Sequence, residues 1–262
     1  MTVMITREPH GMGWVPDIRD RRDFRFSAPS STPASQLPPA VVLWTPEIRD
    51  QGNTNSCVGQ ATASLYEYVA HYLPRDDFHP SALFNYWFAR HVPRRGWENE
   101  DEGAMPRDAM QSMISNGVVG ESDWPFTEDQ AIVNRRPPQT LLAQAKSNRV
   151  TEGKYVRMLA NDSLYHLKYS LAQGLPFLIG IVVYSSFYDT GSDGLVPMPR
   201  TSETFEGRHL MWVNGYSDDT QRFRVVNSWG ESWGAGGIGW MPYPYVANQG
   251  LSDDFWRVEQ VS

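Results

Sequence analysis

The apolar residues of this chain change period partway along, and that change restricts the fold more than any other feature. From Cys57 onward, Val58, Ala61, Leu65, Val69 and Leu73 recur at steps of three and four until Pro74, which predicts an amphipathic helix with Cys57 at its N-terminus. Ser81 to Arg90 and Arg107 to Ser115 predict two further helices, the second closed by Asn116-Gly117, and another amphipathic stretch spans Asp162 to Gln173. Beyond it the period shortens. Leu178 to Tyr184, Leu210 to Tyr216, Arg222 to Asn227 and Ile238 to Met241 are short apolar or alternating runs bounded by Gly, Asp and Asn, and these read as strands. Helices in front and strands behind place the chain in the α+β class, as a helical lobe followed by a β lobe. At roughly 150 residues per domain, 262 residues fall between one large domain and two modest ones.

The first forty residues have a different character. Residues 17–25 carry three Asp and four Arg with no helical apolar period, which predicts an extended arm whose charges pair with one another. Residues 27–40 hold four Pro, four Ser and three Ala and read as a semi-extended linker or surface strap. The organisation expected is therefore an arm over 1–40 and a packed domain over 41–262, with the helical lobe at about 50–130 and the β lobe at about 131–262. Trp14 and Phe24 gain nothing from exposure in a charged segment, so the arm is expected to strap onto the domain with these two as anchors.

With 23 basic and 30 acidic residues the net charge is −7, which argues against nucleic acid or an anionic membrane surface as partner. The longest apolar run, Leu175 to Tyr184, contains Pro176 and is about half of what a bilayer-spanning helix needs. No basic segment followed by an apolar one marks a signal peptide at the amino terminus. Cys57 is the single cysteine, so no intrachain disulfide can form and a reducing compartment is expected. The expected location is the cytoplasm, with signal-less export as the alternative; nothing in the sequence sets the oligomeric state.

Several motifs reduce to ordinary structure. Gly234, Gly236 and Gly239 match G-x-G-x-x-G, but Pro242 and Pro244 follow where a helix would have to begin, so a glycine-rich turn is expected rather than a dinucleotide site. The acidic run Glu98 to Glu102 lacks the ligand spacing of a calcium loop and reads as a solvated loop. The six His include no pair three to five residues apart, so neither a metal nor another cofactor is expected. Asn161-Asp162-Ser163 fits a glycosylation sequon without a visible secretory route.

Gln51, Cys57, His209 and Asn227 carry the chemistry that is left. Acyl transfer by a thiol needs a thiolate, and an ordinary cysteine with a pKa of about 8.5 supplies little at neutral pH. A helix N-terminus and a neighbouring imidazolium both favour the anion. The carbonyl under attack becomes an oxyanion that needs donors aimed at it, a role open to the Gln51 amide. The histidine must be held in one tautomer by a third group, which an Asn carbonyl can supply.

The segments carrying these residues resemble the papain-like cysteine peptidases, in the family's chain order. RDQGNTNSCVGQATAS (49–64) is similar to the nucleophile segment, GRHLMWVNGY (207–216) to the histidine strand and VVNSWGESWGAGGIGW (225–240) to the asparagine segment. HPSALFNYWFAR and DEGAMPRDAMQSMISNGVVGESDWPF resemble parts of bacterial members, so the likeness covers most of 41–262. Thr54 stands where the family usually has a half-cystine, Asn55 where it has a glycine and Val58 where it has an aromatic, and forty residues are too few for the family's long helical propeptide. The resemblance implies a two-lobed fold, helical and β-barrel-like, with the active-site groove between the lobes holding an extended peptide.

It also implies roles: Cys57 as nucleophile, His209 as acid/base, Asn227 as orienter, and Gln51 with the Cys57 N–H as oxyanion hole. Trp229 would shield the His209–Asn227 hydrogen bond, and with Gly103, which would pair its backbone with the chain in the groove, it is placed among the substrate-binding residues. The expected activity is cysteine endopeptidase action on peptide or protein substrates through an acyl-enzyme. The alternatives are a thiol acyltransferase (transamidase, ligase or deamidase) using the same site and a non-catalytic peptide-binding member of the fold.

Overall fold

The predicted helix at Cys57 forms as α1 (Cys57–His71), and it is buried on nearly every side. A helix surrounded in this way needs small or hydrogen-bonded residues where its neighbours cross. Gly59 is one: a Cβ there would lie 2.6 Å from the Ala82 carbonyl oxygen and 2.7 Å from Tyr86 Cβ, so its absence lets α2 (Ala82–Arg90) approach. Thr62 turns its hydroxyl onto the Val58 carbonyl at 2.7 Å and receives Asn85 Nδ2 at 2.8 Å, so the buried polar groups of the crossing are paired. Ser81 caps α2 by accepting the Phe84 N–H at 3.1 Å, and α3 (Pro106–Ser115) begins on a proline, whose missing N–H costs nothing in a first turn. In this computed structural model residues 10–29, 33–73, 78–91, 100–150, 155–158 and 164–261 are described. Pro74, the sequon at 161–163 and the first two residues of the 98–102 acidic run lie outside them.

Three short helices, α4 (Gln130–Val133), α5 (Gln139–Ala145) and α6 (Leu164–Ala172), lead into the sheet. Residues 139–150 pack with the helical cluster through Leu141, Leu142, Ala145 and Val150. The strands are β1 (Arg25–Phe26), β2 (Ala40–Val42), β3 (Tyr155–Met158), β4 (Phe177–Tyr184), β5 (Phe205–Ser217), β6 (Arg222–Val226), β7 (Ile238–Pro242) and β8 (Ser252–Val258). They lie in the order β1-β3-β8-β4-β5-β6-β7, with β2 also on β5, and only the β1–β3 pair is parallel.

β4 reads as one apolar run because both of its faces are covered. Leu178 faces the cluster that contains α1, while Phe177, Ile179, Ile181 and Val183 face a second cluster with Met211, Val213 and Phe223. The sheet therefore stands between two cores, and the strand carrying His209 lies against α1.

Two expectations are corrected here. Pro242 and Pro244 do not prevent a helix: α7 (Tyr243–Ala247) starts on them, because first-turn prolines leave no hydrogen bond unmade. The acidic run is not simply solvated. Asp101 accepts the Asn55 N–H at 3.0 Å, the Tyr86 hydroxyl at 2.5 Å and Gln130 Nε2 at 3.0 Å, and so braces the loop that leads into Cys57. The glycine-rich motif at 234–239 is a turn, with Gly234, Gly236 and Gly237 in the left-handed region (φ 60°, 66° and 81°).

Candidate active site

Cys57 sits at the first position of α1 with no exposed surface, and its Sγ receives the Leu210 N–H from β5 at 3.4 Å. That contact joins the two lobes next to His209. Burial dominates the electrostatics on both sides: it pushes the Cys57 thiol up to about 12 and pulls the His209 imidazole down to about 4. Both groups are therefore neutral in this state.

The tautomer of His209 follows from its neighbours. Asn227 Oδ1 receives the Ser228 backbone N–H at 2.8 Å, which marks it as an acceptor. His209 Nε2 lies 2.7 Å from the same oxygen, so Nε2 carries the proton and donates. In a neutral ring Nδ1 is then left with its lone pair, and Nδ1 is buried without a hydrogen-bond partner. β5 and the turn after β6 thus hold an imidazole whose free nitrogen is pre-set. Trp229, fully buried, holds its ring 4.8 Å from that of His209 and closes this hydrogen bond off from water.

Gln51 is also fully buried. Its Oε1 receives the Ser228 hydroxyl at 2.7 Å, which turns Nε2 outward as the donor. Ser228 therefore orients both Asn227 and Gln51. Sequence reasoning singled out the segment around Ser228 and passed over the residue itself; its place next to Asn227 was the available signal.

The groove between the lobes is filled by the chain's own arm. Gln51 Nε2 donates to the Gly11 carbonyl at 2.9 Å, and the N–H groups of Gly13 and Trp14 reach the Arg208 carbonyl at 3.0 and 3.2 Å. The other wall is Ala104, which donates to the Gly13 carbonyl at 2.9 Å and accepts the Val15 N–H at 3.0 Å. His10 stacks on Trp229 at 4.7 Å. Gly103 donates its own N–H to Tyr86 Oη at 3.0 Å, and a Cβ there would lie 2.4 Å from the Gly13 oxygen. The backbone pairing is made by Ala104, and Gly103 provides clearance beside it. The Gly-Met-Gly run of the arm was the sequence signal for this fit: a Cβ on Gly11 or Gly13 would come within 1.8 or 1.9 Å of the carbonyl oxygens of Thr54 and Asn55.

Of the two aromatic anchors expected in the arm, Trp14 is 5% exposed and buried in the helical core cluster, whereas Phe24 is 49% exposed and touches Tyr155 edge-on at 6.0 Å. Among the described residues no group of three or more His, Cys, Asp or Glu could hold a metal, and no helix is long and apolar enough to cross a membrane.

A cysteine that opens a helix and contacts the strand carrying a histidine, itself held by asparagine, sits between a helical and a β lobe in a fold of the cysteine protease type. The chain belongs to the papain family of cysteine proteases, enzymes that hydrolyse peptide bonds. The family's profile matches residues 94–250, which contain His209 and Asn227, while Gln51 and Cys57 precede the matched span. An uncharacterized peptidase C1-like protein of Acanthamoeba polyphaga mimivirus is 33% identical over 222 residues, covering 81% of this chain and 70% of that protein. The crystal structure of xylellain, a cysteine protease from Xylella fastidiosa, superposes with a TM-score of 0.88 at 36% identity over 100% of both chains. A procathepsin B from Trypanosoma congolense shares the fold at 14% identity, with a TM-score of 0.68 over 96% of this chain and 86% of that one.

Proposed function

We propose that Cys57, His209, Asn227 and Gln51 hydrolyse peptide bonds of extended substrates through an acyl-enzyme, and that the arm in the groove is the resting state of the enzyme. The observation that carries this reading is the His209 Nε2 to Asn227 Oδ1 hydrogen bond at 2.7 Å, with Nδ1 left unpaired beside the Cys57 strand contact. With the arm out, water enters the groove, and the burial that keeps thiol and imidazole neutral is relieved. The Cys57 proton passes to His209 Nδ1, and the thiolate adds to the substrate carbonyl. The resulting oxyanion takes hydrogen bonds from Gln51 Nε2 and the Cys57 N–H. Collapse expels the amine, which takes the proton from His209, and leaves a thioester. Water then attacks the thioester with His209 as base, releasing the carboxylic acid and restoring the thiol.

In the docked state Gln51 Nε2 is already occupied by the Gly11 carbonyl. The arm thus blocks the oxyanion position as well as the groove. The test is reaction of the full chain with an epoxysuccinyl peptide, followed by mass spectrometry, together with a broad fluorogenic peptide set. A single adduct on Cys57 and hydrolysis that disappears in Cys57→Ala are expected. Hydrolysis at the same rate in Cys57→Ala, or neither adduct nor hydrolysis even when Trp14→Ala releases the arm, would overturn the reading.

A further inference from the structure

Trp14 does not merely lie on the groove wall; its indole enters a socket built for it. Where the ring passes β4 the strand has Gly180, and a Cβ there would lie 2.2 Å from the indole. Gly180 faces Leu210 across the β4–β5 ladder, so the socket opens one residue from His209. At its far end Asp254, fully buried, accepts the indole Nε1–H on Oδ2 at 2.8 Å and the Asp17 N–H on the same oxygen at 2.7 Å.

Asp254 is aimed by a distorted backbone. Its φ is +53°, a region that costs a non-glycine residue energy, and the β4–β8 register shifts between Leu178 and Gly180. Its second oxygen, Oδ1, is fixed by Arg157 Nη2. The indole N–H and the Asp17 N–H both belong to the arm, so departure of the arm leaves Oδ2 without either donor and leaves a side-chain-shaped space beside Gly180.

We propose that Gly180 and Asp254 make this socket select substrates carrying tryptophan within three residues of the scissile bond. The proposal rests on the peptidase reading above and gives that site its substrate class. A hydrophobic pocket alone discriminates weakly among large apolar side chains. A buried acceptor that an indole N–H satisfies and a phenyl or isobutyl group leaves unpaired discriminates far more strongly. The same space accounts for the arm's hold on the groove, since Trp14 occupies the substrate's position.

The test uses the full chain with Trp14→Ala, which vacates the socket. In a proteome-derived peptide library, cleavage should concentrate on peptides with tryptophan at one fixed position, at least tenfold over phenylalanine at that position. Adding Gly180→Ala should erase that enrichment and move the preference to smaller side chains. In the Trp14→Ala, Cys57→Ala chain, amidated hexapeptides with one central tryptophan should bind at least tenfold tighter than their phenylalanine counterparts. Trp14→Phe, which keeps most of the packing, supplies the same ratios if Trp14→Ala does not fold. Cleavage without tryptophan enrichment, or equal binding of the two hexapeptides, overturns the socket and spares the peptidase reading. Selective binding without cleavage does the reverse.

Discussion

The carboxylate pair that anchors the arm makes its docking depend on pH. Asp17 is buried between Trp256, which donates Nε1–H to it at 2.8 Å, and Arg107, whose backbone N–H reaches it at 3.1 Å. Asp254 of β8 faces it, held by Arg157 of β3, while Asp23 of the arm pairs with the Arg107 guanidinium at 2.6 and 2.7 Å and lies 3.6 Å from Arg157. Asp253 stands 3.4 Å from Arg157 on the outer side.

Burial first, and then the Asp254 charge, raise the Asp17 carboxyl from its ordinary 3.8 to about 7. A carboxyl raised on docking takes up a proton as the arm docks. Docking is therefore strongest below the ordinary value, weakens as pH rises toward 7, and levels off above it. At about 1.4 kcal/mol per pH unit, the docked arm loses about 4 kcal/mol over the whole span. About 2 kcal/mol of this falls between pH 5 and pH 7, roughly a thirty-fold weakening.

The perturbation is Asp17→Asn, which carries no charge at any pH. The assay is the rate of epoxysuccinyl labelling of Cys57 in the unmodified chain divided by the rate in the variant, because the ratio cancels the titration of the thiol itself. That ratio should climb on the order of thirty-fold from pH 5 to pH 7 and stay level above pH 8. A ratio that is constant with pH, or that falls as pH rises, refutes the argument.

Asn227→Ala removes the acceptor that holds His209, and a hydrogen bond to an imidazolium is worth about 1.5–3 kcal/mol, so kcat should drop roughly ten- to a hundred-fold with little change in KM. An unaltered kcat would remove Asn227 from the mechanism. Gly59→Ala forces a methyl against the Ala82 carbonyl and Tyr86 at the α1–α2 crossing, and the overpacking should cost about 1–3 kcal/mol, read as a lower urea midpoint. A midpoint equal to that of the unmodified chain would mean that the crossing is loosely packed.

The elements that could be read from the chain are those whose signal is local. α1 follows a three-and-four period, α2 opens on the cap residue Ser81, α3 is closed by Asn116-Gly117, and β4 to β7 are apolar or alternating runs between turn residues. β3 is only four residues long, and β8 opens on Ser252-Asp253-Asp254, a poor strand start taken alone. Both are strands because they pair with each other across about a hundred positions, and such long-range pairing leaves no local pattern. β1 and β2 lie in a stretch that reads as arm and linker for the same reason. Cys57, His209, Asn227 and Gln51 stood out as candidates because their side-chain chemistry is specific, and the segment around Asn227 is dense with glycine and tryptophan. Ala104 was not, since a backbone that pairs with an extended chain can carry almost any side chain.

What the sequence determined by itself was a helical front half and a strand-rich back half, the exclusion of intrachain disulfides, and four candidate groups whose chemistry suits acyl transfer, since these depend on residue type and short spacing. Where the arm runs, which tautomer His209 adopts, and how far burial suppresses the Cys57–His209 ion pair were decided only by the tertiary structure. Each depends on which distant atoms share a water-free space, and desolvation and shape acquire values only once the chain has closed around that space.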